Sequence, residues 1–189
     1  MLRVITCNTN GIRAAQRKGF FDWLAEQDAD VVCIQETKAQ EHQLVDPVFR
    51  PEGYHCFYND AERKGYSGTA LYAKRAPTAI ETRVGWEPVD SEGRYLRADF
   101  DGFTVISLYV PSGSSNDAAQ GRKDVFMDRF TPHMQALLEE DREFIICADW
   151  NTCHQNIDIK NWRSNQKNSG FMPYEREWLT DLYENQGWV

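Results

Sequence analysis

Residues 2–7 form a short apolar run, and residues 30–35 a second, near-continuous one of the kind buried on both faces of a sheet. Between them, residues 19–27 carry Phe20, Phe21 and Leu24 at helical spacing. From 54 to 110 the pattern shortens to β segments at 54–58, 69–73, 79–84, 95–100 and 104–110, with Asp101-Gly102 as a hairpin turn signal between the last two. A helix from about 123 to 140 sets Phe126, Phe130, Met134 and Leu138 at steps of four along one face, and residues 143–148 return to strand. Pro173 opens a last helix at a position proline tolerates, with Trp178, Leu179, Leu182 and Tyr183 on one side and Gly187 as its stop. Strands mixed with helices, several in antiparallel succession, predict an α/β fold with a mixed sheet or two packed sheets covered by helices. No repeat or Pro/Ser-rich linker interrupts the pattern, so residues 1–189 read as one domain.

Composition narrows the class. A chain 41% hydrophobic, with 6 Trp, 8 Tyr and 10 Phe, has enough apolar material for a buried core and too much for a disordered segment. No apolar run reaches the length of a membrane span, and the N-terminus lacks the features of a signal peptide, so a cytoplasmic protein without a membrane partner is expected. The cysteine count is odd and contains no C-x-x-C pair, which argues against a disulfide framework and against a zinc site. Cys7, Cys33 and Cys147 lie inside apolar runs and read as small buried hydrophobes. The net charge of −8 is not the overall signature of a nucleic-acid binder, yet it excludes none, because affinity follows the local field over a groove.

The informative polar residues stand where strands end. The first strand exits into Asn8-Thr9-Asn10-Gly11, the second into Gln35-Glu36-Thr37-Lys38, and the late one into Asp149-Trp150-Asn151. If these strands are neighbours, Asn8, Glu36, Asp149 and Asn151 converge at one sheet edge as a hard, oxygen-only donor set suited to Mg²⁺ or Mn²⁺. Each residue also has a plain structural reading. Asn and Asp after a strand are common turn formers, and a solvated Glu at a strand end is ordinary. Between 159 and 173 the only charges are Lys160, Arg163 and Lys167, interleaved with Asn161, Asn165 and Asn168, which suits a phosphate backbone or an ordinary solvated loop.

Ordered motifs span the chain: Asn8-x-Asn10-Gly11-Ile12-Arg13, Gln35-Glu36-Thr37-Lys38, Lys64-Gly65-Tyr66-Ser67-Gly68, Glu92-Gly93-Arg94, Tyr109-Val110-Pro111, Asp149-Trp150-Asn151-x-x-His154, Asn156-Ile157-Asp158-x-Lys160-Asn161 and Asn165-x-Lys167-Asn168-Ser169-Gly170-Phe171. In this order they resemble the exonuclease III and AP-endonuclease family of DNase I-like enzymes. The resemblance implies a four-layer α/β sandwich, two mixed sheets face to face with helices outside. It implies Mg²⁺, or Mn²⁺, held by Glu36 with Asn8 beside it and by Asp149 and Asn151. Asp149 would activate or position the attacking water, Asn151 would orient the nucleophile and the transition state, and Tyr109 would lie at the scissile phosphate, as a hydrogen-bond donor or, with a depressed pKa, as an acid. Arg13, Lys18, Gly65 and Tyr66 would touch the strands of double-stranded DNA. Asn165, Asn168 and Phe171 would lie near a pocket for an abasic sugar, and Lys167 would bind the DNA beside them. The implied activity is cleavage 5′ to abasic sites, with 3′→5′ exonuclease and 3′-phosphatase action, by a monomer. A non-catalytic nucleic-acid-binding regulator on the same scaffold, and a related phosphodiesterase acting on inositol phosphates or lipids, are the competing readings.

The sequence departs from the family pattern in places. Ala148 stands where the family usually has Gly, Asn10 where some relatives have Asp, and Cys153 where Ala is usual. The family's final Ser-Asp-His-Ala-Pro-like motif and its last strands have no counterpart in residues 1–189, so the chain alone is expected to be inactive or nearly so, marginally stable, and to carry an unpaired sheet edge.

Overall fold

The parallel pairing of β1 (Val4–Asn8) with β2 (Val31–Gln35) requires a crossover, which α1 (Ile12–Arg17) and α2 (Phe20–Gln27) supply. β3 (His55–Asn59) and β4 (Thr69–Ala73) complete a mixed sheet in the order β1-β2-β4-β3. β5 (Ala79–Glu81), β6 (Tyr95–Asp99), β7 (Phe103–Tyr109) and β8 (Glu143–Asp149) form a second in the order β5-β6-β7-β8, with β7 and β8 parallel. The computed structural model describes all residues from 1 to 189, and they divide into two units. The first, Met1–Tyr109 with Arg142–Asp149, holds both sheets. The second is Val110–Asp141 with Trp150–Val189.

In the first unit, period-two alternation assigns each side chain to one of two cores. Val32 and Ile34 of β2 and Ala70 and Tyr72 of β4 point toward the helices and pack with Ile12, Phe21 and Leu24. Their neighbours Val31, Cys33, Leu71 and Ala73 point the other way, against Leu96, Ala98, Val105 and Cys147 of the second sheet. Two mixed sheets packed face to face and flanked by helices are thus the architecture, with no barrel. β2 is buried at every position, as its unbroken apolar run predicts. β1 instead sits at a sheet edge with Cys7 half-exposed rather than buried, while Cys33 and Cys147 are buried and all five cysteines are thiols.

The second unit is helical. α3 (Asp117–Leu138) begins ahead of the position its apolar stripe predicts, because the Asn116 side chain caps it by accepting from the Ala119 N–H at 2.9 Å. Its buried face runs Phe126, Phe130, Met134 and Leu137, and Leu138 is 44% exposed. Steps of four overshoot the 3.6-residue turn, and after three of them position 138 has rotated about 120° off the stripe while position 137 has returned to within about 20°. α4 (Trp162–Asn165) is one short turn, and α5 (Pro173–Thr180) starts on its proline and continues as a wider turn over Asp181–Asn185. α1 went unpredicted because only Ile12 of its six residues is buried, which leaves no periodic stripe to read. No helix is long and apolar enough to cross a membrane.

Candidate active site

Two parallel strand pairs end together in the first unit. Asn8 and Gln35 are partners at the ends of β1 and β2, and Tyr109 and Asp149 are partners at the ends of β7 and β8. Gln35, 1% exposed, joins the pairs: its Nε2 donates to Ser107 Oγ at 3.2 Å and to the Cys147 carbonyl at 3.1 Å, while Ser107 Oγ donates to the Ile34 carbonyl at 3.2 Å. A buried amide with its partners satisfied fixes the register between the sheets where the polar side chains emerge.

Asn8 Nδ2 donates to Glu36 Oε1 at 2.9 Å and to Asp149 Oδ2 at 2.6 Å, so one amide bridges two carboxylates from distant parts of the chain. Its Oδ1 accepts from the Asn10 N–H at 2.8 Å, which orients the NH₂ toward the acids. Lys38 Nζ lies 2.6 Å from Glu36 Oε2 and 2.5 Å from Asn10 Oδ1. Asn10, Glu36 and Lys38 all have positive φ, at 46°, 53° and 47°. For residues with a Cβ such backbone costs about 1–3 kcal/mol each and persists only where surrounding bonds over-determine it. Those bonds are present: Gly11 N–H donates to the Glu36 carbonyl at 2.7 Å, Thr37 N–H to the Gly68 carbonyl at 3.1 Å, and Lys38 N–H to the Ser67 carbonyl at 2.9 Å.

Burial alone would raise the Glu36 pKa. Hydrogen bonds from Lys38, Asn8 and Tyr109, with the Lys38 charge, more than offset that and hold it below the ordinary value. Tyr109 moves the opposite way. Burial first, then the neighbouring charge of Glu36 and its hydrogen bond to that carboxylate, push the phenol far above its ordinary pKa, and the Asp149 charge adds to this. The same bond places the Tyr109 hydroxyl against the Glu36 carboxylate, where it acts as a hydrogen-bond donor. Arg94, 2% exposed, fixes this tyrosine: Nη1 donates to the Tyr109 carbonyl at 3.1 Å, Nη2 to Tyr66 Oη at 3.0 Å, Nε to Glu92 Oε2 at 2.5 Å, and the guanidinium lies 4.7 Å from the Tyr109 ring centroid.

Of the expected DNA contacts in this unit, Arg13, Lys18 and Gly65 are exposed. Lys18 lines a cleft of about 290 Å³ together with Cys7, Asn8, Thr9 and Trp23. Tyr66 is half-buried, with the Arg63 and Arg94 guanidinium groups over its ring.

In the second unit, Asn151 follows Asp149 by two residues of chain and is also left-handed, with φ 47°. Its Nδ2 donates to the Val110 carbonyl at 2.8 Å. Asn165 Nδ2 donates to the carbonyls of Lys160 and Asn161 at 2.9 and 3.2 Å, and its Oδ1 accepts from Asn168 Nδ2 at 2.8 Å. Asn168 and Lys167 are exposed. Phe171 is a correction: it is fully buried with Arg176 over its ring, because the turn at Gly170 directs it inward, and its ring belongs to the core instead of a DNA surface.

Sequence reasoning assigned no role to Lys38 or Arg94, although both lie inside motifs it had singled out. Lys123 and Glu175, a fully buried pair, gave no signal, since a charge within an amphipathic helix ordinarily marks its solvated face.

The carboxylates of Glu36 and Asp149 fit the divalent ion the fold family implies. Both offer hard oxygens, both already accept hydrogen bonds from one amide, and Glu36 takes an ammonium at contact distance. Two carboxylates suit Mg²⁺, which retains several waters, better than a cage for a softer metal.

Comparison with known proteins agrees with this geometry. Residues 5–189 match the signature of the Endonuclease/Exonuclease/phosphatase family. The chain is 39% identical over 186 residues to an exodeoxyribonuclease of Bacillus subtilis (strain 168), covering 97% of this chain and 71% of that protein. It is 35% identical to the DNA repair nuclease APEX1 of Danio rerio, covering 97% of this chain but 59% of the relative, less than two thirds of its length. Among solved structures, an AP endonuclease from Archaeoglobus fulgidus superimposes with a TM-score of 0.85 at 26% identity, over 97% of this chain and 70% of that one. With the signature across nearly all its length and carboxylates meeting at paired strand ends, the chain belongs to the endonuclease/exonuclease/phosphatase family and is by family a phosphodiester hydrolase.

Proposed function

We propose that this chain carries the active site of a Mg²⁺-dependent DNA-repair phosphodiesterase, cleaving 5′ to abasic sites and acting at 3′ ends of double-stranded DNA as exonuclease and phosphatase. The observation that carries the reading is the Asn8 amide bridging Glu36 and Asp149, which brings two carboxylates to one point at the ends of the parallel strand pairs. Names of relatives, an exodeoxyribonuclease and a DNA repair nuclease, support DNA as the substrate.

Glu36 and Asp149 would hold the cation, with the Asn8 amide bridging their oxygens. When bound, Mg²⁺, or Mn²⁺ in its place, neutralises charge on the phosphate oxygens and stabilises the departing alkoxide. Asp149 accepts a proton from the attacking water at a carboxylate oxygen, and Asn151, two residues along the chain, takes the nucleophile-orienting role that the family resemblance implies. Tyr109 donates a hydrogen bond from Oη, and Lys38 offsets the charge of Glu36 whenever the cation is absent. Arg13, Lys18, Gly65, Tyr66, Asn165, Lys167 and Asn168 contact the sugar-phosphate backbone, the sequence-independent part of DNA binding.

The test uses Mn²⁺ as the probe. Its binding to the wild-type chain and to Glu36→Gln is read by water-proton relaxation, with cleavage of an abasic-site duplex measured in parallel with and without EDTA. Loss of at least tenfold in Mn²⁺ affinity on Glu36→Gln, with any cleavage abolished by EDTA, is expected. Equal Mn²⁺ affinity in the two proteins, or cleavage that survives EDTA, overturns the reading.

A further inference from the structure

The second unit contains one ion pair with no access to solvent. Lys123 of α3 and Glu175 in the first turn of α5 are both 0% exposed, with Nζ 2.7 Å from Oε1. Neither spends its polar capacity on the other alone. Lys123 Nζ also donates to the Asn151 carbonyl at 2.8 Å. Glu175 Oε2 accepts from the N–H groups of Gly170 at 2.7 Å and Met172 at 3.0 Å, and Oε1 accepts from Gln120 Nε2 at 3.2 Å. The pair thus holds the left-handed Asn151 at its carbonyl while fixing the turn that ends the 165–168 amide cluster.

The contact between those two segments is tight. A Cβ on Gly170 would stand 2.8 Å from the Asn151 carbonyl oxygen, and Gly170, at φ 87°, also accepts from Cys153 N–H at 2.8 Å through its carbonyl. Asn151 has φ 47°, a conformation that relaxes unless it is gripped. Two grips are present: Val110 on its side chain and Lys123 on its carbonyl.

A stabilising role alone explains the pair poorly. Buried ion pairs are commonly replaceable by apolar residues of similar volume without loss of stability, because desolvation cancels their attraction. What apolar residues cannot reproduce is directional donation to the Asn151 carbonyl and acceptance from two consecutive-turn N–H groups. We infer that Lys123 and Glu175 are positioning residues, which set the orientation of Asn151 and of the 170–172 turn together. This inference deepens the proposed function and rests on it for the role of Asn151, while its geometric part stands alone.

Three variants test it: Lys123→Met with Glu175→Met, Lys123→Arg, and Glu175→Gln. Two readouts are taken from each. In ¹⁵N spectra, the Asn151 side-chain amide and the Gly170 backbone amide shift in the double variant and in Glu175→Gln, but stay near wild type in Lys123→Arg, which keeps a cationic donor. In cleavage of an abasic-site duplex, kcat falls about a hundredfold, the scale of a misplacement near 1 Å, while KM stays within about threefold, and Lys123→Arg restores kcat to within about tenfold of wild type. If the double variant fails to fold, Glu175→Gln, which removes the charge and replaces one acceptor oxygen with an NH₂ donor, carries both readouts. Unmoved Asn151 and Gly170 resonances in a folded variant overturn the inference, as does a kcat within about twofold of wild type. If wild type itself cleaves nothing, the Asn151 and Gly170 resonances alone decide: shifts as described support the positioning role, and unmoved ones overturn it.

Discussion

Replacing Arg94 by lysine keeps a positive charge beside Glu92 but removes the planar fork. In the structure one guanidinium serves three acceptors, Glu92 Oε2, the Tyr109 carbonyl and Tyr66 Oη, and covers the Tyr109 ring at 4.7 Å. A single ammonium on a flexible stem retains one of these, and the ion pair with Glu92 is the strongest candidate. Two hydrogen bonds from a charged donor are then lost, at about 1.5 kcal/mol or more each, with about 0.5–1 kcal/mol for the weakened ring contact. The sum is about 3–4 kcal/mol, a large part of the 5–15 kcal/mol that holds a typical domain folded. With a urea m-value of about 2 kcal/mol/M, the midpoint drops by about 1.5–2 M. Two of the six tryptophans, Trp23 and Trp86, lie in the unit that holds Arg94, so intrinsic fluorescence follows its unfolding together with that of the second unit. Arg94→Met serves as the companion, leaving Glu92 without its partner, and lowers the midpoint at least as far. A midpoint shift below about 0.3 M for Arg94→Lys would refute the claim that the fork is what holds Tyr109 beside Glu36.

Burial would raise the Asp99 pKa, but hydrogen bonds from Arg97 and Thr104 and the charges of Arg97 and Arg142 hold it below the unfolded value of 3.8. A depressed carboxylate stabilises the fold above the unfolded pKa and loses that contribution as pH falls through the folded one, so the stability gap between wild type and Asp99→Asn is full at pH 7 and closes below about pH 4, as urea midpoints across that range will show; a gap independent of pH would be contrary. Phe171→Ala costs about 3–5 kcal/mol as a core truncation, whereas Lys167→Ala, at an exposed position, changes stability by less than about 0.5 kcal/mol, and thermal unfolding of the two separates core from surface in this segment.

Much of this protein is written locally. The double-faced burial of β2 follows from an unbroken apolar run, and the alternation of Val31, Val32, Cys33 and Ile34 between two cores follows from the pleat. The candidate chemistry was equally local: Asn8, Glu36 and Asp149 each stand at the end of a strand, and the ordered motifs around them pointed to one family. What no local pattern contains is which strands become neighbours. Convergence of Asn8, Glu36 and Asp149 depends on two parallel pairs ending together, tied by Gln35 across the sheets, and contacts at such separation leave no periodic trace. Tertiary structure alone also decided the sense of several side chains. Phe171 turned inward at Gly170, Tyr109 gained a raised pKa from burial beside Glu36, and the Asn8 oxygen was taken by Asn10 so that its NH₂ faces the acids. Lys123 and Glu175 show why: a charge is expected at a surface because leaving water is costly, and only a partner brought from another helix removes that cost, so its burial is a property of the fold and not of the stretch of sequence that carries it.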